Sequence, residues 1–313
     1  MNIRHLHYFV TLADEGHFGR ASLKCHVTQP TLSGAVTQLE RELGVPLVDR
    51  KSQRFGGLTT EGKRVLGWAQ RILADQKALE SEIGELRRGL TGDLNFGIIP
   101  AAMPVAPLVT QAFLKAHPGV TLRLLSLTSA QIQQRLDDGT IEAGMTYLKN
   151  EPLRNIRSRA IYDEHYMFLT PSGGPYDHRH SLRWTEAAKL PLCLLTRDMQ
   201  NRRIIDRLFA QGGAPAFKVA IETDSILALI AQVRSGGWSS VVPHTFLTLL
   251  GHEQSALSGL RAIPLCKPQA RQSIGIVIAD RDPQPPLTRA LLKTIKISDI
   301  LAELRRLLPR PSD

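Results

Sequence analysis

The run from His17 to Gly62 constrains this chain more than any other stretch, and its centre is Cys25-His26-Val27-Thr28-Gln29-Pro30-Thr31-Leu32-Ser33. A short amphipathic segment, Phe18 to Cys25, leads into a brief turn. Thr28 then offers a hydroxyl to cap a second helix, and Pro30 falls in that helix's first turn, where a missing N–H costs little. The helix runs to about Leu43 and stops at Gly44, a residue free to take the left-handed conformation that ends helices. Leu32, Val36, Leu39 and Leu43 are spaced for one buried face. Gln29, Thr31, Ser33, Gly34 and Thr37 lie off that face, towards the N-terminal end. Hydroxyls and an amide suit base edges in a major groove, and a glycine lets the backbone come close. An ordinary helical hairpin shares this outline, so the residues after Gly44 decide between the two.

From Leu47 to Thr60 two short apolar runs flank a basic turn, which predicts a β-hairpin wing with Arg50, Lys51 and Arg54 placed for phosphates. A proline-free helix then extends from about Thr60 to Arg88. Its residues Val65, Ala69, Ile72, Gln76, Leu79, Ile83 and Leu86 alternate in spacings of four and three, a coiled-coil seam with one polar break at Gln76. A lone helix would leave that stripe wet, so a second copy is expected to cover it. The opening segment, Ile3 to about Asp14, presents Leu6, Phe9, Val10 and Ala13 to support the recognition helix from behind.

In Ala21-Ser22, Val27 to Ser33, Leu39-Glu40, Leu43-Gly44, Leu47, Arg50 and Leu58-Thr59-Thr60-Glu61-Gly62 the sequence resembles the LysR-type transcriptional regulators. The resemblance implies an α+β multidomain chain: a winged helix-turn-helix over 1–59, a linker and dimerisation helix over 60–90, and a two-lobed α/β effector domain over 91–313, like a small periplasmic binding protein. It places Thr28, Gln29, Pro30, Thr31, Ser33 and Thr37 towards double-stranded operator DNA, with Arg50 and Arg54 on its backbone. It further implies an interrupted palindromic operator, a homodimer through the linker helix joined into a homotetramer, and RNA polymerase as a partner. Phe96 to Pro100 and Thr146 to Leu153 are similar to regulators encoded beside formate dehydrogenase genes, which makes formate a candidate effector.

A net charge of +10 favours an anionic partner, nucleic acid before membrane, since no basic amphipathic anchor or lipidation motif appears. No apolar run approaches the ~18 residues of a membrane span, and the N-terminus lacks a signal-peptide pattern. The expectation is a cytoplasmic protein. Cys25, Cys193 and Cys266 make neither a disulfide framework nor a metal cluster. Among LysR relatives are peroxide sensors that join two cysteines across a loop following a strand such as Leu192–Leu195. Here Thr196 to Ala210 holds no second cysteine, so a thiol-based redox regulator stays an alternative only. His178-Arg179-His180 lacks a third ligand at metal spacing.

After the glycine hinge at Gly89 and Gly92 the chain alternates strand-like runs with amphipathic helices, which indicates α/β layers with largely parallel sheets. Predicted strands are 94–99, 121–127, 143–147, 166–170, 192–195, 217–221, 239–242 and 274–279. Predicted helices are 106–116, 129–138, 203–211, 224–235 and 286–297. The family resemblance puts two crossovers between lobes, near Ile161-Tyr162 and Cys266-Lys267-Pro268. The first lobe would then be 91–162 with 267–300, and the second 163–266. Arg202, Arg203 and Arg207 read as a solvated basic face, as do Arg154, Arg157 and Arg159.

Open α/β sheets bind ligands beyond the carboxyl ends of their strands. The loops there supply Ala101, Thr128, Ser129, Tyr147, Thr196, Arg197 and Thr223, a hydroxyl-rich set with one cation suited to a small carboxylate or other oxyanion. The same threonines and serines would cap helices in any protein. LysR relatives often carry a hydroxyl in the first of these loops, which Ala101 and Ala102 do not supply. No cofactor, metal or catalytic set is expected: the chain has no phosphate loop, nucleophile elbow or metal motif, which weighs against an α/β enzyme with a DNA-binding extension. A solute receptor for transport would want a signal peptide.

Overall fold

The computed structural model describes residues 1–51, 54–151, 153–249 and 259–307. The chain divides into two compact units, Met1–Gly92 with Gln134–Ile141, and Asp93–Gln133 with Glu142–Asp313.

In the first unit α1 (Ile3–Glu15) is capped by Asn2, and α2 (Phe18–Lys24) by the His17 ring. Helix α3 (Gln29–Leu43) begins with Thr28 Oγ1 accepting from the Thr31 N–H and ends at Gly44, whose φ is 72°. The wing is an antiparallel hairpin of β1 (Val48–Lys51) and β2 (Arg54–Leu58). Thr59 caps α4 (Thr60–Arg88), its hydroxyl accepting from Gly62 N–H at 2.8 Å. Gly62 has no room for a side chain, since a Cβ there would lie 2.0 Å from the Leu47 carbonyl. Leu6, Phe9, Leu12, Phe18, Leu32, Val36, Leu39 and Leu47 form the core.

The seam of α4 needs a correction. Ala69 is 1% exposed inside this same core, with Val65 and Ile72 packed against it, while Leu79 and Ile83 are 62% and 46% exposed. Spacings of four and three describe a helix stripe but not what covers it. Here the chain's own domain takes the first half, and only the second half is left for a partner.

After α4 come β3 (Gly92–Ile98), α5 (Ala106–Ala116), β4 (Val120–Ser126), α6 (Ser129–Asp137), β5 (Ala143–Tyr147) and β6 (Ile156–Glu164). The chain then forms β7 (Tyr166–Pro171), β8 (Leu182–Arg183), α7 (Trp184–Ala187), β9 (Leu192–Leu195), α8 (Gln200–Gln211), β10 (Val219–Thr223), α9 (Ile226–Arg234) and β11 (Ser240–Pro243). Strands β12 (Leu260–Cys266) and β13 (Gln272–Ala279) precede α10 (Pro286–Thr294) and α11 (Ile297–Leu307). A five-stranded sheet, β4-β3-β5-β13-β6, makes one lobe; a four-stranded sheet, β11-β7-β12-β8, and the pair β10-β9 make the other. The chain leaves the first sheet at Glu164 and enters the second at Tyr166, later than Ile161-Tyr162.

The sheets are mixed rather than largely parallel. β3 runs with β5 and β9 with β10, but β13 runs against both β5 and β6, and β7 against β11 and β12. Parallel neighbours need a crossover connection; β13 instead returns from the other lobe and inserts between its partners in the opposite sense. The fully buried strands β5, β9 and β11 are the near-continuous apolar runs expected of a two-sided core.

Candidate functional site

Helix α3 shows Thr28, Gln29, Pro30 and Thr31 to solvent, with Ser33 and Thr37 half-buried beside them. The opposite face is the buried Leu32, Val36 and Leu39, so packing fixes which residues turn outward. Thr28 Oγ1 and Thr31 Oγ1 share a hydrogen bond of 2.8 Å. Gly34 lies beside them, and a Cβ there would meet nothing within 4 Å, so no contact among the described residues requires the glycine. The backbones of Arg50 and Arg54 pair within the wing, but their side chains lie outside the described residues.

Between the two lobes lies a narrow cleft lined by Ile99, Pro100, Ala101, Thr128, Ser129 and Tyr147 from one side and Leu195, Met199, Gln200 and Asn201 from the other. Of the seven residues expected here, Ala101, Thr128, Ser129 and Tyr147 come together, whereas Thr196, Arg197 and Thr223 do not line it. Arg197 is 78% exposed with its Nε 3.9 Å from Glu222. Thr223 Oγ1 accepts from the Ser225 N–H instead. Helix α8 begins at Gln200 rather than Arg203, and its first turn, through Gln200 and Asn201, lines this side of the cleft.

That first turn is bonded to the opposite lobe. Gln200 Nε2 donates to the Lys149 carbonyl at 3.2 Å, and Asn201 Nδ2 donates to the Tyr147 hydroxyl at 2.8 Å. Arg203 pairs with both carboxylate oxygens of Glu151 and also donates to the Arg197 and Asp198 carbonyls. The Arg203 hydrogen bond holds the Glu151 carboxyl below its usual range. Arg202 is no solvated residue: it is 1% exposed and donates to the Leu195 carbonyl, Asp206 and Glu222 at 2.8, 2.8 and 2.6 Å. Two of these partners lie on elements apart from its own helix, which a local charge run does not reveal.

Behind the cleft sits a carboxyl group that sequence reading missed. Glu164 is fully buried at the end of β6, and Tyr147 O–H donates to its Oε1 at 2.7 Å, while Oε2 has no hydrogen-bond partner among the described residues. Burial pushes its pKa up to about 8, the Tyr147 hydrogen bond pulling only partly back. Burial likewise raises Tyr147, Tyr162 and Tyr166 well above the ordinary phenol, and lowers the neighbouring His244 to about 4. Ser129 shares a 2.9 Å hydrogen bond with Thr146, and Thr128 exchanges caps with Gln131. Cys193 is buried in β9 with its thiol raised by burial. Among the described residues no group of His, Cys, Asp and Glu could hold a metal, and no helix is long and apolar enough to cross a membrane.

Residues 3–63 match the bacterial regulatory helix-turn-helix protein, lysR family, and residues 87–298 match the LysR substrate binding domain. The DNA-binding transcriptional dual regulator OxyR of Escherichia coli is 28% identical over 90% of this chain and 91% of its own length. The SDS degradation transcriptional activation protein of a Pseudomonas species is 33% identical over 77% of this chain and 79% of its own. A solved full-length OxyR variant from Pseudomonas aeruginosa aligns over 100% of this chain and 99% of its own at 25% identity, with a TM-score of 0.73. Full-length CbnR, crystallised with its target DNA, aligns over 98% and 100% at 22% identity, with a TM-score of 0.69.

Proposed function

This chain belongs to the LysR family of bacterial transcriptional regulators, as a DNA-binding protein with an effector domain rather than an enzyme, and we propose that α3 reads operator DNA while the interlobe cleft senses a small molecule. Thr28, Gln29, Pro30, Thr31, Ser33 and Thr37 face base edges, and Arg50 and Arg54 hold phosphates. The exposed second half of α4, with Gln76, Leu79 and Ile83, joins two copies, and two such pairs assemble on an interrupted palindrome. RNA polymerase is then the partner through which promoter occupancy acts.

The observation that carries the effector reading is the set of hydrogen bonds from Gln200 and Asn201 across the cleft they line. A ligand seated there touches both lobes, favours one hinge angle, and biases whatever assembly that angle suits. Coupling must be reciprocal, so operator DNA shifts effector affinity by the same factor. Filling the cleft by Ala101→Leu should abolish the effector's influence on operator affinity; a full response in that variant overturns the reading. Relatives named as hydrogen peroxide-inducible genes activators raise thiol sensing for this chain. Cys193 argues otherwise, because a reactive cysteine needs an accessible site that lowers its pKa, and this one is buried with its pKa raised. A formate effector finds no support in the names of these relatives.

A further inference from the structure

Resting on the cleft reading above, we infer that the effector is a small uncharged molecule that both donates and accepts hydrogen bonds, of the amide class, rather than a carboxylate. Among the described residues no Lys, Arg, His, Asp or Glu lines the cleft. Of the cations nearest in sequence, Arg202 pairs with Asp206 and Glu222 and Arg203 with Glu151, while Arg197 and Lys149 are exposed. Glu164 behind the cleft is protonated below about pH 8, so it offers neither a charge to attract nor one to repel. Two of the three lining hydroxyls are tied to other side chains, and the third, that of Thr128, accepts from its own helix and keeps its hydrogen. Ser129 is bonded to Thr146, Thr128 to the first turn of its own helix, and the Tyr147 hydroxyl both accepts from Asn201 and donates to Glu164.

Among the lining side chains of the described residues one buried acceptor has no partner, and it stands close to a set of backbone donors. Gln200 is 3% exposed and lines the cleft, and its Oε1 has no partner among the described residues. The side-chain amide is held from turning over because Nε2 donates to Lys149 O. The donors are the first N–H groups of α8, where the N-cap residue Met199 supplies no side-chain cap; the Arg203 N–H is the first of the helix to reach a carbonyl, that of Met199. A buried helix end without partners calls for them from outside the helix. A carboxylate would satisfy those N–H groups but confront Gln200 Oε1 acceptor to acceptor, and a full charge in an uncharged lining is costly to desolvate. An amide turns its carbonyl oxygen to the helix end, where the dipole favours it, and its N–H to Gln200 Oε1.

The experiment compares the melting temperature of the full chain with acetamide and glycolamide against acetate and glycolate, matched in size, at one ionic strength and up to tens of millimolar. Ligands that bind only the folded state raise stability, and with it the melting temperature, as their concentration climbs past the dissociation constant. The expected result is a rise with the amides and none with the carboxylates, lost in Gln200→Leu and in Ala101→Leu. Should Gln200→Leu melt too low to read, Gln200→Met replaces it. A rise with acetate or glycolate that Ala101→Leu abolishes overturns the amide assignment and leaves the cleft reading standing. A rise that survives Ala101→Leu undiminished means that the ligand sits elsewhere, and both fall. No rise with any of the four overturns the inference.

Discussion

On α3, Gln29, Pro30 and Thr31 stand in solvent on one continuous helix, held there by the buried Leu32, Val36 and Leu39 behind them. Around the cleft, Ser129, Tyr147 and Asn201 come from separate elements and are each bonded to another side chain. The first surface is finished without its partner and leaves its side chains open to an outside molecule, even where Thr31 bonds its neighbour Thr28. The second is a network that already crosses between lobes, so a ligand there must complete it or displace part of it. Rigid presentation suits reading a fixed duplex, whereas bonds that span a hinge suit reporting occupancy.

The largest effect should come from separating the two halves of α4. Ala69→Asp places an unpaired carboxylate inside the core of Leu6, Phe9 and Leu39, at a cost of about 3 kcal/mol or more. It should unfold the DNA-binding unit well before the other. Leu79→Asp sits on an exposed face and should leave each chain's fold within about 0.5 kcal/mol, yet shift sedimentation towards smaller species. Equal losses of melting temperature from both would erase the distinction between a stripe covered at home and a stripe kept for a partner.

Next is the cleft's hidden acid. Folded Glu164 keeps its proton to about pH 8, while the unfolded group releases it near 4.5, so the folded state binds more protons and stability falls as pH rises through that window. His244, lowered from 6.5 to about 4, works the other way, but only below pH 6.5. Between pH 6.5 and 8 the slope is therefore that of Glu164, about 2 kcal/mol in all. Glu164→Gln retains an acceptor for Tyr147 and should flatten urea-unfolding stability across that range. A wild-type curve already flat there would mean that the carboxyl is ionised.

These two regions also differ in how far sequence could describe them. The ends of α3 at Thr28 and Gly44 follow from capping and left-handed preference, rules that act over a few residues. β5 and β9 were legible as unbroken apolar runs bounded by polar residues. β6 was not, because only Ile161, Tyr162 and Glu164 of its nine residues are buried and the rest reads as a basic loop. Nor did sequence show that Arg202 is buried: its ion pair with Glu222 bridges residues that approach only when β9 and β10 pair. A sequence shows the charge of Arg197 but not the unpartnered amide oxygen of Gln200.

On the DNA side, Gln29→Ala removes an amide that can bond a base edge in two places and should cost about 1.5 kcal/mol at the preferred operator, with little loss on unrelated duplex. Arg54→Ala, a phosphate contact, should weaken both alike and lower the salt dependence of binding. Competition shifts with specific and scrambled DNA measure the two together. A change of site preference from Arg54→Ala would reverse the roles assigned to helix and wing.

The smallest effect, and the one that bears most directly on how closely DNA approaches, belongs to Gly34. A glycine inside an exposed helix is worse than alanine by about 1 kcal/mol, because its unfolded chain has more freedom to lose. Here a methyl group would touch nothing within 4 Å, so packing in the free protein gives no reason to keep the glycine. Gly34→Ala should therefore raise the melting temperature of the DNA-free protein. If the duplex lies against the backbone at this point, the same methyl group should push it away and weaken operator binding several-fold. A variant both more stable and as tight as wild type would move the close approach to another turn of α3, and the outward face would need to be redrawn around it.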